Sequence, residues 1–379
     1  MIAKVPRFSG TIDRLLASAG IRLNGPDPWD MQVRNERVYA RILAHGSLGL
    51  GESFMDGDWD CVELDEFFHR ILRSGVQNRA PRNLRLLTAQ LRARWLNLQT
   101  PRRAFIPAQV HYDLGNDLFE CTFDKRLTGS CGYWREARDL DGAQEAKHDL
   151  ICRKLSVAAG QKVFDIGCGW GAFMKFAAER YGVSCTGVTV SREQISWGEE
   201  RSKGLPVRFI FGDYRKLPAD AAGPYDRLVS MGMFEHVGNK NYPRYFSIAH
   251  RLLKDDGLFL LHTIGSNDST YAIDPWLNKY IFPNAVLPSI AQLGSALEKH
   301  WVVEDWHNFG ADYDKTLVAW FQKFDANWQR ISARYGERFY RLWKYYLLSC
   351  AGGFRARVIQ LWQLVLSKHG VPGGYLSVR

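Results

Sequence analysis

Five short apolar runs recur between residues 162 and 263, and they constrain the fold more than any other feature of the chain. They are KVFDIG (162–167), SCTGVTV (184–190), VRFIFGD (207–213), YDRLVSM (225–231) and GLFLLHT (257–263). Amphipathic stretches separate most of them. Apolar strands alternating with helices bury both faces as βαβ units, so the pattern predicts a mostly parallel sheet with helices on both sides. After residue 265 the spacing loosens. Residues 266–300, which include DPWLNKYIFPNAVLP, form a long insertion expected to serve as a lid or a substrate wall. A strand-like WVVEDWH (301–307), two helical stretches and a final strand near 358–367 follow. The late last strand makes the expected sheet a mixed one.

Upstream of this region, residues 1–104 read as mostly helical, with a Gly- and Asp-rich loop at GSLGLGESFMDGDWD (46–60). TPRRAFIP (100–107) brings two prolines and is the expected connection. The chain therefore divides into a smaller N-terminal domain, 1–104, and a larger catalytic domain, 105–379. The net charge of +10 is uneven. Between Glu66 and Asp113 there is no acidic residue, but there are nine arginines: 70, 73, 79, 82, 85, 92, 94, 102 and 103. Such a local field points to a polyanion, either nucleic acid or an anionic membrane face. Leu84, Leu87, Leu91, Trp95 and Leu98 make one helical stripe flanked by Arg82, Arg85, Arg92 and Arg94. That stripe suits a lipid interface or packing on the next domain. The arginines are not interleaved with several aromatics, as a nucleic-acid stacking platform requires, so no nucleic-acid partner is expected.

Seven widely spaced cysteines without a C-x-x-C pair suggest reduced thiols. MIAKVPRFSGTIDRLLASAG lacks the pattern of a signal peptide, and no run approaches 18 apolar residues. A cytoplasmic protein is expected. No Cys/His/Asp spacing suggests a metal.

DIGCGWG (165–171) closes the first strand and opens a helix. Gly167, Gly169 and Gly171 allow a tight turn and a close backbone approach to a ligand. The G-x-G-x-G spacing differs from that of pyrophosphate binders. An Asp closing the strand, Asp165, followed by this loop in a mixed sheet resembles the motif of S-adenosylmethionine-dependent methyltransferases. Such enzymes usually carry an acidic residue at the end of the second strand. Here that strand ends GVTVSREQ, offering Thr189 and Gln194 instead. Asp213 and Tyr214, after the third strand, are expected to meet the adenine. The competing reading of Asp213 is a strand-end cap. Trp170 and Tyr133 are candidates to stack on the cofactor.

Nine motifs occur in order, these two among them: HYDLGNDLF (111–119), SCGYW (130–134), DIGCGWG, GVTVSREQ (187–194), FEHVG (234–238), LHTIG (261–265), DPWLNKYIFP (274–283), DWHNFGADYD (305–314) and CAGGFRAR (350–357). With GESFMDGDWD (51–60) ahead of them, the whole chain resembles bacterial cyclopropane-fatty-acyl-phospholipid synthases. The synthases that cyclopropanate mycolic acids are similar over the catalytic domain but lack the N-terminal part. The resemblance implies a Rossmann-like methyltransferase domain behind a helical N-terminal one. It also implies an activity: a methylene passes from S-adenosylmethionine to the cis double bond of a phospholipid acyl chain.

In that family a bound bicarbonate removes the proton from the carbocation. The matching positions make Glu235 the acceptor of the anion's O–H, with His262 and Tyr313 as donors. Cys131 and Cys350 line the same pocket, and Ser130 belongs to the cofactor set. Each has a plainer alternative: a satisfied core histidine, a bonded buried tyrosine, or cysteines as small apolar fillers. Cys168 is read as filler. His236 is read as structural, turned away from Glu235 by strand alternation. One departure from the family stands at Gly129, where a Tyr is usual, so a cofactor contact from that ring is missing or replaced. The partner implied is membrane phospholipid, reached through anionic head groups and Arg82, Arg85, Arg92 and Arg94. The protein then sits peripherally on the inner membrane face, and the resemblance allows a homodimer. The alternatives are a fatty-acyl C-methyltransferase that stops before ring closure, a small-molecule amine N-methyltransferase, and a binding protein that has lost catalysis.

Overall fold

The computed structural model describes residues 9–76, 97, 99 and 115–379. The stripe from Leu84 to Leu98 and the arginines at 79, 82, 85, 92, 94, 102 and 103 lie outside the described residues. So do the TPRRAFIP connection, the expected 104/105 boundary and the start of the HYDLGNDLF motif.

The N-terminal part runs α1 (Ser9–Ala17), β1 (Gln32–Val33), α2 (Arg37–His45), α3 (Ser47–Met55), β2 (Trp59–Asp60) and α4 (Leu64–Ser74). β1 and β2 pair antiparallel as a separate small ribbon. The expected loop at 46–60 is therefore mostly helix. Glycines normally signal a loop, but these two serve close packing. A Cβ at Gly49 would lie 2.1 Å from the Arg41 carbonyl oxygen of α2. One at Gly51 would lie 2.4 Å from the Trp276 ring. Helical propensity gives way to the need for an unencumbered helix face.

Next come α5 (Asn116–Thr122), α6 (Leu140–Lys154), β3 (Lys162–Ile166), α7 (Ala172–Tyr181), β4 (Ser184–Thr189), α8 (Arg192–Arg201), β5 (Val207–Phe211) and β6 (Tyr225–Met231). Then follow α9 (Tyr242–Leu252), β7 (Leu253–Ser266), α10 (Pro275–Tyr280), α11 (Ile290–Leu297), β8 (Val302–Asn308), α12 (Ala311–Tyr335), α13 (Glu337–Arg355) and β9 (Ile359–Ser367). Helix starts match their local chemistry. Asp139 and Ser191 accept from backbone N–H groups at the starts of α6 and α8, and Ser289 with Gln292 forms a capping box on α11.

All five expected strands form, in a seven-stranded sheet of order β5-β4-β3-β6-β7-β9-β8. Neighbours from β5 to β7 are parallel, and β9 inserts antiparallel between β7 and β8. The sheet is thus the mixed, mostly parallel one anticipated. Apolar clusters cover both of its faces, one including Phe164, Phe259 and Leu364, the other Val163, Val229 and Leu260. A third cluster runs from Phe54, Trp59 and Phe67 through Trp276 to Trp343 and Leu348, joining the N-terminal helices to α13. Contact there is close, since a Cβ at Gly352 would lie 2.5 Å from the Asp65 carbonyl oxygen. Among the described residues no helix is long and apolar enough to cross a membrane.

Candidate functional site

A cavity of about 430 Å³ opens beyond the carboxyl ends of β3, β4 and β6, where open α/β sheets bind ligands. Its cofactor-like end is built on the glycine loop. Gly167, Gly169 and Gly171 all have positive φ, at 91°, 54° and 78°. A Cβ at Gly167 would lie 2.6 Å from Met233 Cγ, and one at Gly171 2.4 Å from Phe209 Cζ. At Gly169 the nearest such neighbour is the Gln194 amide nitrogen, 3.9 Å away, so this backbone faces open space. Those two properties, forced turns and an open middle, fit a ligand lying across the loop. Trp170 anchors the loop: its indole N–H donates to Asn116 Oδ1 at 3.1 Å, and its ring packs 4.9 Å from Phe119.

Thr189 and Gln194 both line the cavity, and they bond to each other. The Thr189 hydroxyl donates to Gln194 Oε1 at 2.7 Å, which leaves the Gln194 amide N–H₂ beside Gly169. Asp213 and Tyr214 line it too. The Asp213 carboxylate, however, accepts from the Arg215 backbone N–H and, at 2.5–3.0 Å, from its guanidinium, with both side chains buried. It acts as a strand-end cap in this arrangement. The Tyr214 hydroxyl has no hydrogen-bond partner, and burial pushes its pKa up to about 12. Ser130 lines the same end, its hydroxyl accepting from Lys147 Nζ at 2.8 Å.

At the other end stands Glu235, on a single 3₁₀ turn, Phe234–His236, directly after β6. Its Oε1 accepts from the Ile264 N–H at 2.6 Å. The nearby Thr263 hydroxyl donates to the Ile264 carbonyl and also helps hold the Glu235 carboxyl down, and among the described residues Glu235 Oε2 has no hydrogen-bond partner. Burial raises its pKa to about 7 against the pull of the Ile264 bond. Tyr313, from α12, and Cys350, from α13, line the same cavity. Tyr313 stacks on Phe354 at 4.6 Å, and burial holds its phenol protonated far above the ordinary range. Burial likewise pushes the Cys350 thiol up to about 12. Trp320, Tyr346, Phe354 and Leu317 complete an aromatic, apolar wall.

Of the residues singled out from the sequence, the cavity brings together Ser130, Gly167, Gly169, Trp170, Thr189, Gln194, Asp213, Tyr214, Glu235, Tyr313 and Cys350. Cys131, Tyr133, Asp165, Gly171 and His262 stand behind its lining. Tyr133 packs against His307 and Phe309, away from any stacking position on the loop. Cys131 is fully buried, its thiol 3.1 Å from the Gly132 carbonyl. Asp165 is buried, neither of its oxygens has a hydrogen-bond partner among the described residues, and burial raises its pKa to about 7. His262 is buried in β7, with Nδ1 3.3 Å from the Gln363 amide nitrogen and Nε2 without a partner among the described residues. Burial, then the charges of Lys147 and Lys154, hold it neutral.

His236 corrects the alternation argument. Because the turn is 3₁₀ and not extended, His236 also lines the cavity, 6.0 Å from Phe282, with burial pushing it down to about 4. The 266–300 insertion supplies wall residues, including Asp274, Leu277 and Phe282.

Comparison with known proteins identifies the family of the chain. A family model described as mycolic acid cyclopropane synthetase matches residues 99–364. The cyclopropane-fatty-acyl-phospholipid synthase of Escherichia coli (strain K12) is 51% identical over 97% of this chain and 95% of its own. Tuberculostearic acid methyltransferase UfaA1 of Mycobacterium tuberculosis is 31% identical over 95% of this chain and 88% of its own. The crystal structure of mycolic acid cyclopropane synthase CmaA1 complexed with SAH and CTAB superposes with a TM-score of 0.64. It is 32% identical and covers 70% of this chain and 98% of its own. The chain therefore belongs to the cyclopropane synthase family of S-adenosylmethionine-dependent methyltransferases.

Proposed function

We propose that the protein cyclopropanates unsaturated acyl chains of membrane phospholipids, with a bound bicarbonate as the base. The observation that carries this reading is Glu235: a buried carboxylate with one oxygen fixed by Ile264 and the other unbonded, on the wall of a mostly apolar cavity. The glycine loop with Thr189 and Gln194 would hold S-adenosylmethionine, which would supply an electrophilic methyl group. An alkene is a weak nucleophile, and the positive charge left on the acyl chain would be quenched by water. Trp320, Tyr346 and Phe354 keep water out and offer π faces to that charge. Ring closure also needs a base for the departing proton, and bicarbonate supplies it. Glu235 Oε2 and the Tyr313 hydroxyl would hold that anion, one as acceptor and one as donor, with Cys350 beside them and His262 Nε2 behind. An unbonded buried acceptor is costly unless a donor arrives, which fits the O–H of a small anion.

Delivery of the substrate falls to the N-terminal domain, 1–104. Arg82, Arg85, Arg92 and Arg94 would hold anionic head groups at about 1 kcal/mol per basic residue, docking the enzyme peripherally on the inner membrane face.

The test uses methyl-labelled S-adenosylmethionine and vesicles of unsaturated phospholipid, with and without bicarbonate. Released fatty acids are read by mass and NMR. Gain of a labelled methylene, with olefinic protons replaced by cyclopropyl ones, is the expected result. A branched methyl chain would move the function to a C-methyltransferase; a relative that matches 95% of this chain is named a tuberculostearic acid methyltransferase. Unlabelled lipid would overturn the lipid reading altogether.

A further inference from the structure

The cavity's cofactor end rests on a buried ammonium that the reaction itself does not use. Lys147 lies on α6 with no exposed surface. Its Nζ donates to the Ser130 hydroxyl at 2.8 Å and approaches Met231 Sδ at 3.9 Å. Three residues earlier on the same helix face, the Gln144 amide donates to the Ser130 carbonyl at 2.7 Å. Ser130 is thus gripped through both side chain and backbone from beneath, while its other side lines the cavity.

From the facing elements, Asp165 of β3, Asp124 of the loop after α5, and Cys131 act on Lys147, and Lys147 in turn acts on His148 and His262. Asp165 lies directly under the glycine loop with neither oxygen hydrogen-bonded, so the charge of Lys147 is what opposes its desolvation. A buried ammonium costs several kcal/mol unless well paired, and folding alone is served as well by an apolar side chain of similar length. The location therefore carries the meaning.

We propose that Lys147 is a positioning residue for the cofactor: it fixes Ser130 on the cavity wall. The inference rests on the reading that this end of the cavity holds S-adenosylmethionine. Lys147 acts through Ser130, so loss of either should weaken cofactor binding and leave the chemical step alone.

The experiment titrates SAH calorimetrically into the full-length wild type, K147M, S130A and the double variant, and measures KM and kcat for S-adenosylmethionine. The loss of one charge-assisted hydrogen bond should weaken SAH and raise KM about tenfold, with kcat nearly unchanged. The double variant should be no worse than either single one. Unchanged affinity in folded K147M, or losses that multiply in the double variant, would overturn the proposal. Should K147M fail to fold, S130A decides: full affinity there refutes the role. A wild type that does not bind SAH would instead refute the cofactor reading.

Discussion

Replacing Glu235 with Gln should stabilise the protein while disabling it, and the size of the gain follows from the site. Burial raises the Glu235 carboxyl from its ordinary 4.5 to about 7. Between those two values the native state holds a proton that the unfolded chain has released, so stability falls as pH rises through that window. At 1.36 kcal/mol per unit, the ionised side chain destabilises the fold by about 3 kcal/mol once the pH exceeds the native value. Glutamine keeps an oxygen for the Ile264 N–H and cannot ionise. The advantage of the variant should therefore be near zero at about pH 4 and reach about 3 kcal/mol at about pH 8. A chain of this length has an unfolding entropy of about 0.8 kcal/mol per kelvin, which converts that gain into a Tm rise of about 4 °C. Melting curves of both proteins at the two pH values test it, alongside turnover, which should collapse. A variant equally stable at both pH values, or less stable at the higher one, would refute the account of Glu235 as an uncompensated buried carboxylate.

Other outcomes follow from the same geometry. Tyr313→Phe should cut turnover at least about tenfold, the loss of one hydrogen bond to a charged group, with SAH affinity unchanged by calorimetry. Gly51→Val places a side chain against the fully buried Trp276; a cost of about 1–3 kcal/mol should appear as a lower Tm. Asp305→Ala removes the carboxylate that pairs with the fully buried Lys154 at 3.1 Å and with Arg379 at 2.6 Å. Leaving that ammonium uncompensated should cost about 3–5 kcal/mol, read as a large fall in denaturation midpoint. Changing Arg82, Arg85, Arg92 and Arg94 to Gln should abolish low-salt co-sedimentation with anionic vesicles; retained binding would remove the docking proposal.

The strands were legible because buried parallel strands must be apolar runs, and five such runs stand clear of their neighbours. The glycine loop was legible for a similar reason: three alternate glycines after an Asp have few other uses. Legibility failed where a residue's role depends on a partner far along the chain. Gly49 and Gly51 look like loop residues until Arg41 and Trp276 are seen against them. Asp213 looked free for a ligand, yet the side chain two positions on takes its carboxylate. His236 was turned the wrong way because a 3₁₀ turn and the end of a strand look alike in FEHVG. Lys147 gave no signal at all. A single lysine in a polar helical stretch reads as surface, and only the packing of α6 under the cavity shows otherwise.

The insertion of β9 between β7 and β8 also sets the order in which the enzyme can assemble. β9 pairs with β7 across a sequence gap of about a hundred residues, from Leu258 with Ser367 to Ser266 with Ile359. On the ribosome, β3 to β7 can collapse with their crossover helices once β6 and β7 have emerged, since none of these pairings needs the later residues. Until residues 359–367 arrive, however, β7 keeps an unpaired apolar edge and β8 lacks its described neighbour β9, and an open strand edge is the kind of surface that recruits other chains. The helices bearing Tyr313 and Cys350 lie in the same interval. The nascent protein thus acquires its glycine loop early and the Tyr313 and Cys350 wall of its cavity last. Its most aggregation-prone moment falls just before it becomes an enzyme.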